Sequence, residues 1–102
     1  MRLVKLVRDK IPEKVGDQRV VYSDIPSRDE FVNALRQKLL EEVAEYLADP
    51  CVGELADILE VVQTLAVYDL EISLEHLEFG RREKYLENGG FLIGRGLYVK
   101  SA

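Results

Sequence analysis

One cysteine, one histidine and one methionine in 102 residues leave little room for several familiar chemistries. Cys51 on its own excludes a disulfide within the chain, and no histidine and asparagine constellation accompanies it to activate a thiol. Its place after Pro50 suits a loop or a helix start. No serine sits in a recognisable nucleophile setting, so a covalent enzyme intermediate is not indicated. No apolar run approaches the ~18 residues of a membrane span, and the N-terminus, Met1 to Arg8, has no apolar signal region, so the expected location is cytoplasmic. Positive charge is scarce as well. A net charge of -5 argues against broad binding of nucleic acid or anionic membranes. Its distribution is uneven: six of the fourteen Lys and Arg residues fall in the first nineteen positions, whereas residues 41–80 contain none.

What is present is a single domain covering residues 1–102, with 47% hydrophobic residues and no repeat or internal boundary. That is enough for a core, at a size where partners often complete it. Residues 2–8 alternate loosely and suit a short strand, which Asp9-Lys10-Ile11-Pro12 would break, with Pro12 at the first position of a short helix. Residues 15–26 read as a loop, with Arg19 to Tyr22 extended. Ser27 and Glu30 form a capping-box pattern for a first helix, whose apolar stripe runs through Phe31, Leu35, Leu39, Val43 and Tyr46 and stops near Asp49-Pro50. A second helix is expected from about Val52 to Leu70, and a third from Ser73 to Asn88, where Gly89-Gly90 can close it. Leu97 to Lys100 has the β propensity of a final strand that would pair with the first. The expected fold is therefore all-α, an antiparallel helix bundle with a small strand appendage, completed by assembly into a homodimer or higher homo-oligomer.

Five carboxylates occupy consecutive helices: Glu41, Glu42 and Glu45, then Glu54 and Asp57. At 100° per residue Glu42 falls between Phe31 and Leu35, and Glu54 between Val61 and Leu65, so each interrupts the apolar stripe of its own helix. Desolvating an ionised carboxylate costs several kcal/mol, which calls for a nearby positive charge. Lys38, one turn before Glu41 and Glu42, supplies one, but one ammonium does not balance four or five acids. Glu42 and Glu45, like Glu54 and Asp57, lie about 60° apart and present two carboxylates to one point. An antiparallel pairing of the helices would bring the two pairs together across the seam. The simplest counter-charge is then a hard divalent cation, Mg²⁺ with Mn²⁺ as an alternative, held by Glu42, Glu45, Glu54 and Asp57. Glu41 lies away from the apolar stripe and suits a share in a second metal, the orienting of a water, or an ordinary exposed position.

The two signatures Glu41-Glu42-x-x-Glu45 and Glu54-x-x-Asp57 resemble those of the MazG-like, all-α nucleoside triphosphate pyrophosphohydrolases, relatives of phosphoribosyl-ATP pyrophosphohydrolase. The opening Lys5-Leu6-Val7-Arg8-Asp9-Lys10-Ile11-Pro12 and the closing Gly89-Gly90-Phe91 are similar to those of a small subgroup thought to clear noncanonical nucleotides. The gap of eight residues between the acidic signatures is shorter than in many such proteins. The resemblance implies Mg²⁺-dependent cleavage of a nucleoside triphosphate between its α and β phosphates, with Glu41 positioning or deprotonating the water. Lys5, Arg8, Lys10, Arg81, Arg82, Lys84 and Arg95 are the candidate phosphate-binding cations. Two other readings stand beside this one: hydrolysis of phosphoribosyl-ATP, and a non-catalytic helical module whose acids bind a basic partner.

Overall fold

The computed structural model describes residues 2–11 and 20–101, which contain three helices: α1 (Arg28–Ala48), α2 (Val52–Tyr68) and α3 (Leu74–Asn88). The Ser27 side chain accepts a hydrogen bond from the Glu30 backbone N–H at 3.2 Å, capping α1. Pro50, which has no backbone N–H and disfavours helix in the residue before it, stands just past its end. Cys51 occupies the start of α2 without a side-chain capping bond. Ser73 caps α3 by accepting from the His76 N–H at 3.1 Å, and Gly89, at φ +78, ends it with a backbone bond to the Tyr85 carbonyl.

α1 and α2 form an antiparallel hairpin. The Phe31 and Tyr68 rings meet edge to face at 5.0 Å, joining the start of α1 to the end of α2. Val32, Ala34 and Leu35 from α1 and Val61 and Ala66 from α2 make up its buried apolar core. Two arginines of α1 clamp the far end of α2. Arg36 holds Asp69 through both carboxylate oxygens, at 2.9 and 2.7 Å. Arg28 donates to the Tyr68 carbonyl and also pairs with Glu71, a non-glycine residue held at φ 57 in the turn towards α3. The last carbonyls of α2 therefore gain a cation although α2 carries no basic residue in its final turn.

α3 packs on α2 and does not reach α1, and none of its side chains is buried. An open apolar groove separates α2 from α3, lined by Leu59, Val62, Leu74, Phe79 and Leu86 among others. The Cα radius of gyration is 18.0 Å, well above the ~13 Å of a compact domain of this length. α1 and α2 each carry a second apolar stripe on the outside of the hairpin, at i, i+3 and i+7: Leu40, Val43 and Leu47 on one, so that Val43 faces out rather than into the expected core stripe, and Val52, Leu55 and Leu59 on the other. No described helix is long and apolar enough to cross a membrane.

The all-α expectation holds for the described residues, and the strand appendage does not form among them. Residues 2–8 and 97–100 are without regular structure, and Leu97, Tyr98 and Val99 are 86 to 100% exposed. A strand exists only against a neighbour that takes up its backbone groups, which β propensity alone does not provide. The second helix stops at Tyr68 rather than Leu70 because Arg28 and the left-handed Glu71 turn the chain there. At the N-terminus, Ile11 N–H donates to the Arg8 carbonyl at 3.1 Å in a single turn. The expected helix start at Pro12 and the first part of the 15–26 loop lie outside the described residues.

The Arg36 guanidinium holds the Asp69 carboxyl below its ordinary value of 3.8. A carboxyl with a lowered pKa in the folded state stabilises the protein above its unfolded value and loses that contribution as pH falls through the folded one. Asp69→Asn should therefore make thermal stability less sensitive to pH in acid, as followed by circular dichroism melts across that range.

Candidate metal centre

The hairpin brings three of the predicted acids together. Carboxylate oxygens of Glu42, Glu54 and Asp57 all lie within 4.8 Å of one another. Glu42 comes from α1, Glu54 from the first turn of α2 and Asp57 from one turn later, so the group straddles the seam. Glu42 is the one buried charged residue among those described, at 5% exposure. Glu54 and Asp57 are half-buried. Residues that keep the helical period of the core thus place carboxylates where leucines would otherwise pack.

Counter-charge from the described residues is partial. Lys38 Nζ lies 3.2 Å from Glu42 Oε1 and 3.7 Å from Glu41 Oε2. Arg8 Nη2 donates to Asp57 Oδ1 at 2.6 Å. The second oxygen of Glu42, Oε2, and Oε2 of Glu54 are buried with no hydrogen-bond partner. Burial raises the Glu42 pKa above its ordinary value of 4.5; the Lys38 ammonium opposes this and the neighbouring Glu45 carboxylate adds to it. Two orphaned carboxylate acceptors in one cluster, both shielded from water, are costly unless a cation meets them.

The donor set fits a hard divalent ion. Carboxylate oxygens are the donors such an ion takes, and Glu42, Glu54 and Asp57 would hold it from both sides of the seam. Three carboxylates leave further positions for water or a ligand's oxygens, the pattern usual for Mg²⁺.

The remaining predicted residues are placed as follows. Glu45 is exposed and outside the three-acid group, though close enough to Glu42 to raise its pKa. Glu41 is half-buried at the edge of the site beside Lys38. Of the seven candidate cations, Arg8 alone has a described contact with the carboxylates. Lys5, Lys10, Lys84 and Arg95 are exposed. Arg81 is held by Glu78 on its own helix, at 2.6 Å, and with Arg82 lines the α2–α3 groove rather than the acidic seam. His76 and Cys51 are exposed and make no side-chain contribution to the site. The clamps made by Arg28 and Arg36 were not foreseen; the depletion of basic residues from 41 to 80 was their signal, since the end of α2 must borrow cations from another helix.

The chain was compared with protein-family models, curated proteins and solved structures, and none of them matches.

Replacing Glu42 by Gln keeps its shape and removes the desolvated charge. Glu42→Gln should melt at or above the temperature of the unaltered protein when both are free of metal. Mn²⁺ at ~100 times its dissociation constant should stabilise the unaltered protein by about 2.7 kcal/mol, roughly 10 to 20 °C for a domain of this size. The variant should lose most of that increase in differential scanning fluorimetry.

Proposed function

We propose that this chain is a Mg²⁺-dependent nucleotide pyrophosphohydrolase, which releases pyrophosphate from a nucleoside triphosphate and leaves the monophosphate. One observation carries the proposal: the buried, unpartnered oxygens of Glu42 and Glu54 next to Asp57 on facing helices. A purely structural role leaves these acceptors unexplained. The carboxylate spacing and the flanking Lys5–Pro12 and Gly89-Gly90-Phe91 segments, which resemble MazG-like enzymes, give the reading its reaction class. No nucleophilic side chain is present at the site, which suits direct attack by water.

Glu42, Glu54 and Asp57 would hold the ion, with Glu45 within reach of Glu42. When bound, Mg²⁺ would supply charge neutralisation at the phosphate oxygens and a more acidic water. Glu41, half-buried at the rim, would accept the water's proton. Lys38 lies between Glu41 and Glu42, fixes both carboxylates and limits their mutual repulsion. Neither the base of the nucleotide nor the choice between canonical and damaged substrates is specified by these residues.

The exposed stripes of α1 and α2 support self-association as part of the same reading, because each resembles a helix face awaiting a partner helix. The stripes also favour a second reading, a helical interaction module without catalysis. That reading accounts for the apolar surface and leaves the buried acids unexplained.

Asp57→Asn and Glu42→Gln should each lower pyrophosphate release from a panel of nucleoside triphosphates by roughly 100-fold or more while the helical circular dichroism signal persists. Full activity in either variant, or no release from any triphosphate by the unaltered protein with Mg²⁺ present, would rule the proposal out. Sedimentation should give a mass at least twice 11.7 kDa. Leu55→Glu should weaken a two-fold dimer about 100-fold, since a buried leucine contributes ~1.5 kcal/mol or more on each side.

A further inference from the structure

Arg8 reaches the acidic seam from 49 residues away in sequence. It is set on the N-terminal segment that runs from residue 2 to the turn at Asp9-Lys10, where Leu6 and Val7 are half-buried and the neighbouring side chains exposed. Its guanidinium is largely open to solvent, at 57% exposure, and its partner Asp57 at 36%. A pair so exposed is worth at most ~1 kcal/mol, so it breaks readily when something binds either member more tightly.

The charges around the seam show what would break it. Glu41, Glu42, Glu45, Glu54 and Asp57 carry five negative charges when ionised, against one positive charge each on Lys38 and Arg8 among the described residues. A divalent cation offsets two of the three uncompensated charges. An ion on Asp57 then displaces Arg8 from that carboxylate, while the repulsion that the seam exerts on an anion falls. The guanidinium lies beside the carboxylates, and its planar fork suits two phosphate oxygens at once.

Building on the metal-site reading above, we propose that Arg8 is an exchangeable residue: it pairs with Asp57 in the metal-free chain, yields Asp57 to the incoming divalent cation, and is thereby made available to a phosphate group of the ligand. Arg8 couples metal entry to anion binding. It keeps part of the acidic seam neutral before the metal arrives and supplies a positive charge to the ligand afterwards. Without this exchange the metal and Arg8 compete for Asp57 with no return.

The test uses the whole chain with Mg²⁺ or Mn²⁺ as the metal and inorganic pyrophosphate as the anion. Mg²⁺ should shift the Arg8 Nε–Hε signal in nuclear magnetic resonance spectra of the unaltered protein, and added pyrophosphate should shift it again. By calorimetry, Arg8→Gln should bind Mn²⁺ about 2 to 5 times more tightly, the gain from losing a competitor of that strength. At saturating Mn²⁺ the same variant should bind pyrophosphate about 10-fold more weakly, as expected for a lost charge-assisted contact. Arg8→Lys should restore only part of that loss, because an ammonium does not bridge two oxygens. If Mn²⁺ binds but Arg8→Gln changes neither affinity and Mg²⁺ leaves the Arg8 signal in place, Arg8 is a static ion pair; the exchange is overturned and the metal site stands. If Mn²⁺ does not bind the unaltered protein, both fall together.

Discussion

The antiparallel pairing of α1 and α2 across a three-residue link is the constraint on which the rest of the structure depends. At 1.5 Å per residue, Glu42 lies about 9 Å before the end of α1 and Asp57 about 7.5 Å after the start of α2, so the hairpin sets them level. The same measure places Phe31 and Tyr68 both about 25 Å from the link, where their rings do meet. One register thus explains the contact at each end. A slip by one helical turn, about 5.4 Å, would separate the acids and the aromatic pair together.

Charge is segregated along this hairpin. The N-terminal half of α1 contributes Arg28 and Arg36, both of which hold groups at the end of α2. The opposite end gathers Glu42, Glu54 and Asp57, with Lys38 alone on the same two helices to offset them. The helix dipoles act differently on the two groups. Glu54, in the first turn of α2, is favoured by the positive end of its helix, whereas Glu45 lies in the last turn of α1, where the negative end disfavours a carboxylate. Burial adds to the imbalance at Glu42. The hairpin's own packing therefore gathers carboxylates whose charge the described cations offset only in part.

Much of this was legible in the sequence because it rests on local signals. Ser27 with Glu30, Asp49-Pro50, Ser73 and Gly89 mark helix ends through backbone chemistry that operates within four residues. The misfit of Glu42 and Glu54 follows from the helical period alone, and the structure places both where the wheel put them. The rest depends on contacts between distant parts of the chain. Nothing near Arg8 indicates that it meets Asp57, and nothing near Leu97 to Val99 indicates whether another strand lies beside them. Tyr68 was missed as the end of α2 because its cap is a side chain from α1, forty residues earlier.

A metal at the seam would also answer a difficulty of size. Among the described residues no side chain is fully buried, and α3 covers little of α2, so the hairpin has a thin core. An ion bound by both helices exists only in the paired state, so its binding free energy adds directly to the stability of that pairing. It would also remove the repulsion between acids that the pairing itself brings together. The clustered carboxylates would then weaken the hairpin without metal and strengthen it with metal, so that pairing of the two helices and binding of an ion would be a single coupled event.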